Sequence, residues 1–308
     1  MINISDKALE AIEKVIGEGN IRKNEPMKHH TSMEVGGPAA WFFTPEDQEG
    51  IAAVLVNLQQ EGIPYYIIGK GSNVIFRDEG YDGAVICLAD NYSGYEIISA
   101  DDETAVVSVK AGTSNRDFSD AMINEGLAGF EFASGIPGSI GGATAMNAGA
   151  YDGEMKHIIR EVKLLDEQGN VIVRSNEEMD LSYRHSLVSS GGYTVLETVL
   201  NLKKDDPAAI QARVDDLTAR REEKQPLEYP SCGSTFKRPE GYFAGKLISD
   251  SGLKGYRHGG AQVSEKHAGF VINRDNATAS EILELIEYVK TTVLEKQGVL
   301  LECEVKIL

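Results

Sequence analysis

Small residues dominate the stretch from Gly135 to Ala150, which reads GIPGSIGGATAMNAGA and holds five glycines and four alanines. Glycine loses more backbone entropy on folding than any other residue, so this concentration indicates that side chains would obstruct something. Main-chain N–H groups left accessible in this way bind phosphates. The stretch therefore predicts a dinucleotide lying against the main chain. The alternative, a flexible linker, is disfavoured because linkers are polar and Ser-rich, whereas this run contains Ile136, Ile140 and Met146.

A second Gly/Ser/Asn segment, GKGSNV at 69–74, follows the short apolar run 65–68. A Rossmann fingerprint requires a third glycine where Val74 stands, and a helix where Ile75-Phe76 predicts a strand. A nicotinamide-type Rossmann site is therefore disfavoured. Instead, we expect the two separated segments, 69–73 and 135–149, to close on one pyrophosphate from opposite sides, since small residues let main-chain donors approach a phosphate.

The composition of the 308-residue chain limits its partners. A net charge of −18 disfavours nonspecific nucleic-acid binding, which needs clustered Lys and Arg. No apolar run approaches the length of a membrane span, and no secretion signal is visible at the N-terminus. We therefore expect a cytoplasmic protein with a small-molecule substrate, no nucleic-acid or membrane partner and no obligate protein partner. Three dispersed cysteines without CxxC spacing, and no HExxH, predict reduced thiols and no metal site.

Capping signals and hydrophobic periodicity predict an α+β chain. The expected helices run over Ser5–Ile16, from a Thr44 cap with Pro45 at the first position, over Asn115–Asn124 with Gly126 closing, from Pro207, and from a capping box at Thr278 to Gly298. Strands are expected through most of 83–202, with a hairpin at Gln168-Gly169-Asn170. A final strand is expected over Val299–Leu308, where apolar residues alternate.

Eight short motifs in series identify a family. They are GKGSNV (69–74), GIPGSIGGATAMNAGAY (135–151), LSYRHS (181–186), CGSTFKRP (232–239), AGKLI (244–248), GLKG (252–255), HAGFVIN (267–273) and LECEV (301–305). Together, from about His30 to the C-terminus, they resemble the UDP-N-acetylenolpyruvoylglucosamine reductase family of flavoenzymes, which complete UDP-N-acetylmuramate in peptidoglycan synthesis. The short interval from Tyr183 to Ser234 looks like the form that lacks a tyrosine-bearing insertion.

The resemblance implies a fold. It is a two-subdomain FAD-binding fold of the vanillyl-alcohol-oxidase type, followed by a C-terminal α+β substrate-binding domain. The implied boundaries are 1–82 for the first FAD-binding subdomain, 83–203 for the second and 204–298 for the substrate-binding domain. The C-terminal strand 299–308 is expected to return near the active site.

The resemblance also implies a reaction, in which NADPH reduces a non-covalently bound FAD and hydride then passes to the enolpyruvyl methylene carbon. Arg184 matches the family's arginine that stabilises charge on the substrate carboxylate, and Ser234 matches its proton donor. Glu304 matches a glutamate that assists Arg184, for which we expect a raised pKa. Spacing alone favours a surface arginine and a turn serine at these positions, and it does not distinguish Glu304 from Glu302.

Two sets of binding residues follow from the matched motifs. The FAD contacts are expected at Gly69, Lys70, Gly71, Ser72, Asn73, Val74, Gly135, Ile136, Pro137, Gly138, Ser139, Gly141, Gly142, Ala145, Asn147, Ala148 and Gly149. Side-chain hydrogen bonds in this set are expected from Ser72, Asn73, Ser139 and Asn147. Substrate contacts are expected at Tyr183, and at Lys224, Lys237 and Arg238 for the UDP phosphates or NADPH. Trp41 and Tyr151 are expected in the core.

Two other functions fit parts of the sequence. A flavin oxidase of the same fold would act on an alcohol or hydroxy acid, but it would lack the CGSTFKRP and LECEV elements. Many such oxidases attach FAD through His or Cys, and neither residue occurs in 135–151. A nonenzymatic nucleotide-binding module would leave Arg184, Ser234 and Glu304 without a purpose.

Overall fold

A computed structural model of the chain describes residues 2–89 and 91–308. The helices are α1 (Asp6–Ile16), α2 (Gln48–Gln60), α3 (Asn115–Glu125), α4 (Ile140–Ala145), α5 (Pro207–Lys224), α6 (Ala244–Asp250) and α7 (Ala279–Gln297). The strands are β1 (Ile21–Pro26), β2 (Pro38–Phe43), β3 (Tyr65–Ile68), β4 (Val74–Ile75), β5 (Tyr81–Cys87), β6 (Tyr95–Ala100), β7 (Thr104–Lys110), β8 (Leu127–Ala128), β9 (Gly149–Ala150), β10 (Gly153–Glu154), β11 (Ile159–Asp166), β12 (Val171–Ser175), β13 (Tyr193–Lys204), β14 (Arg257–His258), β15 (Ala261–Val263), β16 (Val271–Asn273) and β17 (Lys306–Ile307). This mixture confirms the α+β class.

The strands form two larger sheets and several small ones. One sheet has the order β1-β2-β5-β3, in which β3 and β5 run parallel. The larger sheet has the order β12-β11-β13-β7-β6, with β8 also pairing to β13, and its neighbours run antiparallel. Strands β14-β15-β16 form a small antiparallel sheet, whereas β4 and β17 form a parallel pair.

The chain divides into two compact units, each assembled from separate stretches. The first comprises Met1–Lys23, Ala40–Lys70 and Asp82–Ala219, and the second comprises Asn24–Ala39, Gly71–Tyr81 and Arg220–Leu308. In the first, α1 packs against α2 and α4 packs against β13. In the second, the buried face of α7 packs against α6 and the β14-β15-β16 sheet. The three boundaries given by the resemblance stay a prediction.

Local signals placed several elements correctly. Helix α3 starts at Asn115 and is closed by Gly126 in the left-handed conformation, as predicted, and the Ser114 side chain caps its start. Helix α7 has the predicted Thr278–Glu281 capping box and ends at Gly298. The hairpin predicted around Gly169 joins β11 to β12. Trp41, at 3% exposure, lies in the core as predicted.

Three predictions are wrong, and one helix is missing from them. Helix α2 begins after Asp47, whose side chain accepts the N–H of Gly50, and not at Thr44. Helix α4 is the missing one, because five of its six residues are small and carry little periodicity. Of the strand expected over 299–308, only Lys306–Ile307 forms, although Leu301 and Val305 are buried as the alternation requires. Tyr151 is 38% exposed, since it lies in the two-residue turn between β9 and β10.

No helix among the described residues combines the length and the apolar character that crossing a lipid bilayer demands.

Candidate functional site

Gly69, the first residue of one glycine-rich segment, adjoins Ser139 of the other within the first unit. A Cβ atom built on Gly69 would lie 2.0 Å from the Ser139 hydroxyl oxygen and 3.0 Å from its Cβ, so a side chain at 69 would force Ser139 to move. Likewise, a Cβ on Gly141 would lie 2.7 Å from the Cβ of Ala111. Packing inside the protein therefore explains these two glycines, where the sequence interpretation attributed the missing side chains to a bound cofactor. The expected approach of the two segments is present at Gly69 and Ser139.

Part of the main chain of the second segment is also used internally. The N–H groups of Ile140 and Gly141 donate to the carbonyl oxygens of Thr113 and Ala111, at 2.9 and 2.8 Å. These two groups start α4 and are unavailable to a phosphate. Asn115, which the sequence reasoning did not single out as a site residue, supports the same segment: its amide donates to the carbonyl of Ile136 at 3.1 Å. Only its position beside a helix cap hinted at this role.

The remaining residues of the segment fit a flat ligand. Gly135, Ile136 and Gly138 are half-buried, and Gly142 is exposed, so this part of the main chain is accessible and poor in side chains. A Cβ on Gly142 would meet nothing nearer than the Ser139 hydroxyl at 3.8 Å. Gly138 has φ 136°, which other residues rarely adopt. This stretch of small, accessible residues is the surface that a dinucleotide such as FAD needs.

The expected FAD contacts differ in accessibility. The half-buried ones are Gly69, Ser72, Asn73, Gly135, Ile136, Gly138, Gly141, Ala145 and Gly149; the exposed ones are Lys70, Pro137 and Gly142; the buried ones are Gly71, Val74, Ser139, Asn147 and Ala148. Val74 lies in β4, and Gly71, at φ 61°, would place a Cβ 1.9 Å from the carbonyl oxygen of His30. Val74 and Gly71 therefore contribute to the fold itself.

Asn73 connects the 69–74 segment to the C-terminal segment. Its carbonyl oxygen accepts the N–H of Lys306 at 3.1 Å, which starts the parallel pairing of β4 with β17. Its side-chain amide donates to the carbonyl oxygen of Glu304 at 3.4 Å. Asn73 therefore holds the main chain of Glu304 in the second unit.

Ser234 and Glu304 lie on adjoining segments of the second unit. The N–H of Glu304 donates to the carbonyl oxygen of Thr235 at 2.9 Å, and Phe236 and Cys303 form an antiparallel bridge. Thr235 is buried, and its hydroxyl accepts the N–H of Val271 at 3.0 Å. Ser234 and Glu304 are both half-buried. The structure thus brings together two of the three residues predicted to do chemistry.

The structure distinguishes Glu302 from Glu304, which the periodicity of the sequence does not. The side chain of Glu302 is 72% exposed and pairs with the ammonium group of Lys237. Glu304 is half-buried. Because Glu304 is the less exposed of the two, it is the better candidate for a glutamate that contacts a bound substrate.

Two thiols lie near these residues. Burial raises the pKa of the Cys232 thiol to about 12, and its sulfur donates a hydrogen bond to the Val74 carbonyl at 3.5 Å. Burial also raises the pKa of Cys303, a shift that Lys290 partly opposes. Both thiols are therefore neutral at pH 7, and neither is activated as a nucleophile.

Arg184 occupies a tight turn of the first unit. The N–H groups of Ser182 and His185 each donate to the other's carbonyl oxygen, at 3.2 and 3.1 Å, and Arg184 has φ 54°. A positive φ is unfavourable for a side chain such as arginine and is found where the surroundings enforce it. The guanidinium group lies 5.0 Å from the ring centre of Tyr183, which is 54% exposed.

Two side-chain bonds attach this turn to the glycine-rich segment. The carboxamide of Asn147 donates to the carbonyl of Ser182 at 3.0 Å, and the Ser186 hydroxyl donates to the carbonyl of Ala145 at 2.6 Å. Asn147 also donates to Glu154 and accepts the N–H of Lys156. Both N–H donors of its carboxamide are therefore used within the protein.

The candidate phosphate-binding residues all lie in the second unit. Lys224 ends α5 and is exposed. The guanidinium group of Arg238 lies 4.5 Å from the ring centre of Phe243, which is 61% exposed. The Lys237 ammonium group is paired with Glu302. Lys224 therefore presents its charge to an anion more readily than Lys237.

Comparison with known proteins supports the same assignment. The family model described as "UDP-N-acetylenolpyruvoylglucosamine reductase, C-terminal domain" matches residues 225–308, and that described as "FAD binding domain" matches residues 39–175. The UDP-N-acetylenolpyruvoylglucosamine reductase of Clostridioides difficile (strain 630) is 49% identical over 294 residues, covering 96% of this chain and 95% of the relative. The crystal structure of UDP-N-acetylenolpyruvylglucosamine reductase from Thermus caldophilus aligns with TM-score 0.79 and 33% identity, over 93% of this chain and 99% of that one.

A more distant structure supports the fold alone. A vanillyl-alcohol-oxidase-type flavoprotein from Myceliophthora thermophila C1 aligns with TM-score 0.58 at 9% identity, over 94% of this chain and 85% of that one. The fold class expected from the motifs is confirmed.

Proposed function

The chain belongs to the family of UDP-N-acetylenolpyruvoylglucosamine reductases, and on that premise we propose that it reduces UDP-N-acetylglucosamine enolpyruvate to UDP-N-acetylmuramate for peptidoglycan synthesis. The reductant is NADPH and the cofactor is a non-covalently bound FAD. The observation that carries the proposal is 49% identity to a reductase of this name over almost the whole of both chains. The substrate is a UDP-sugar, and we place the reaction in the cytoplasm.

FAD, when bound, supplies the hydride that reaches the terminal carbon of the enolpyruvyl group. Addition of hydride there pushes electrons into the substrate carboxylate and gives an enediolate-like anion. Arg184 binds that carboxylate through two parallel hydrogen bonds and stabilises the charge as it grows. The guanidinium group suits this task because it stays charged and its donors are fixed in a plane.

Ser234 donates its hydroxyl proton to the carbon that bears the carboxylate. A serine hydroxyl is a weak acid, so it protonates only a strongly basic carbon. Glu304, held beside the Ser234 segment through the carbonyl of Thr235, stabilises the intermediate together with Arg184. Because a second carboxylate would repel this anion, Glu304 acts as the neutral acid, with a raised pKa.

Three cations are proposed to serve the diphosphate of UDP or the phosphate of NADPH, namely Lys224, Lys237 and Arg238. Lys237 has to leave Glu302 to do so, which costs little because the ion pair is exposed. The exposed ring of Tyr183 contacts the substrate beside Arg184.

Spectroscopy of the purified holoenzyme tests the proposal. The flavin absorbance should bleach with NADPH, recover rapidly with UDP-N-acetylglucosamine enolpyruvate, and recover only slowly in air. Mass spectrometry should find the product two hydrogens heavier than the substrate. Rapid recovery in air together with an inert enolpyruvyl substrate would instead identify an oxidase of the same fold.

A further inference from the structure

The carboxamide of Asn147 is a three-way connection in the first unit. Its nitrogen donates to the Glu154 carboxylate at 2.8 Å and to the Ser182 carbonyl at 3.0 Å, and its oxygen accepts the N–H of Lys156 at 2.9 Å. Asn147 is 1% exposed. Buried hydrogen bonds of this kind fix geometry because no water replaces them when they break.

The connection joins two unusual backbone conformations. Asn147 follows α4 at the end of the glycine-rich segment and has φ 41°. Arg184, two residues after Ser182, has φ 54°. Asparagine tolerates the left-handed region, because its short polar side chain bonds locally, but arginine gains nothing from it. The turn that holds Arg184 therefore needs support from outside.

Asn147 supplies that support at one atom. The carbonyl oxygen of Ser182 accepts both the N–H of His185, which closes the turn, and the amide of Asn147. Without the amide, the turn loses its hydrogen bond to the glycine-rich segment at Ser182 and keeps the one behind Arg184, where the Ser186 hydroxyl donates to Ala145. Loss of this bond weakens the support of the chain before Arg184, so that the backbone shifts toward negative φ and the guanidinium group moves with it.

We propose that Asn147 is a positioning residue, which holds the Arg184 turn against the glycine-rich segment so that the guanidinium group meets the substrate carboxylate. This inference rests on the proposed role of Arg184. It assigns Asn147 to the step that reduces the substrate, and not to cofactor binding through its side chain. The bond at Ser182 carries the effect, and the bond to Glu154 does not.

The test uses single-turnover kinetics of the FAD-loaded protein. Asn147→Gly removes the carboxamide while suiting the positive φ, and Asn147→Asp keeps the volume and the bond from Lys156 but loses both donors. We expect either change to slow reoxidation of the reduced flavin by the enolpyruvyl substrate about 10- to 100-fold, as a displacement of about 1 Å does. Flavin reduction by NADPH and the flavin absorption spectrum should be unchanged.

Two control variants isolate the bond at Ser182. Asn176→Ala removes another pair of bonds from one carboxamide, to the carbonyls of Lys156 and Ile159 at 2.9 and 2.7 Å, without touching the turn. Glu154→Ala removes the other acceptor of Asn147. Both should lower the melting temperature while leaving reoxidation by substrate unchanged. Equal slowing in the control variants would assign Asn147 a general structural role and overturn the proposal.

A double-mutant cycle asks whether Asn147 acts through Arg184. In the Arg184→Ala background, Asn147→Gly should change the reoxidation rate less than about twofold, because residues acting as one unit are not additive. An undiminished effect would show that Asn147 acts elsewhere and would overturn the inference. If the reduced flavin of the wild-type protein is not reoxidised by the enolpyruvyl substrate, the proposed function itself is contradicted. Failure of the proposed function is therefore distinguishable from failure of the inference about Asn147.

Discussion

The backbone N–H of Glu304 donates to the carbonyl oxygen of Thr235 at 2.9 Å, and this bond fixes Glu304 beside the segment that begins with Ser234. Ser234 and Glu304 are 70 positions apart in the sequence, yet the buried Thr235 is next to Ser234 in the chain and bonds Glu304. Thr235 bonds Glu304 through its carbonyl and Val271 through its hydroxyl. The proposed proton donor and the proposed neutral acid are therefore positioned by the same residue.

Replacing Ser234 should block proton delivery alone. We expect Ser234→Ala to slow reoxidation of the reduced flavin by the enolpyruvyl substrate by about 10²–10⁴-fold, the usual contribution of a positioned acid. Stopped-flow absorbance measures this rate, and reduction by NADPH should stay as in the wild type. Ser231→Ala, in the same loop, is the matched control and should be neutral. A Ser234→Ala enzyme that forms product at the normal rate would exclude the assigned donor.

The two glutamates of the C-terminal segment should behave differently. Glu304→Gln should lower kcat strongly, with the pH dependence of the substrate step changed, because the proposed neutral acid is lost. Glu302→Gln should leave kcat unchanged, since the Glu302 side chain is 72% exposed and its pair with Lys237 is worth little. Steady-state pH profiles of both variants decide the matter. Equal loss in both would refute the separation of their roles.

Alanine substitutions at two glycines should affect different properties, namely stability at Gly69 and FAD affinity at Gly142. Gly69→Ala places a Cβ 2.0 Å from the Ser139 hydroxyl oxygen and should destabilise the FAD-free protein by about 1–3 kcal/mol. Gly142→Ala meets nothing nearer than 3.8 Å. It should therefore leave that stability unchanged and weaken FAD binding, which titration with flavin fluorescence measures. Normal FAD affinity in Gly142→Ala would remove Gly142 from the cofactor surface.

The backbone of Arg184 should reveal its strain through stability. At φ 54° a Cβ is unfavourable, so Arg184→Gly should be about 1 kcal/mol more stable than Arg184→Ala. Urea unfolding of both variants measures the difference. Both should have lost reoxidation by the substrate to the same extent, because neither carries a guanidinium group. An alanine variant as stable as the glycine variant would show that the turn relaxes at no cost.

Alkaline unfolding should depend on Cys232. Its pKa is raised by burial from the ordinary value of 9.0 to about 12, so the folded state retains the thiol proton over a range in which the unfolded chain loses it. The stabilisation is complete below pH 9 and is lost as pH rises from 9 toward 12. Denaturant unfolding at pH 8 and pH 10 should therefore show a smaller decline for Cys232→Ala than for the wild type. Equal declines would mean that the thiol ionises normally in the fold.

The sequence by itself determined the elements whose signals are local. Helices α3 and α7 carry their own caps and closing glycines, and the hairpin at Gly169 carries its own turn, so each appears where predicted. The ordered motifs determined the family. Motif matching also singled out Arg184, Ser234 and Glu304, whose individual surroundings give no such signal.

Only the tertiary structure decided which groups meet, because these contacts join residues far apart in the chain. Gly69 is glycine because Ser139 lies against it, and Asn147 bonds Ser182 across 35 residues. The C-terminal residues alternate like a strand, but a regular strand forms only at Lys306–Ile307, which pairs with β4, whereas Cys303 makes a single bridge to Phe236. The extent of a strand is set by its pairing partners as well as by its pattern. Glu302 is exposed and Glu304 is half-buried because of how the folded chain packs around them, and the alternation of residues in the sequence does not predict this difference.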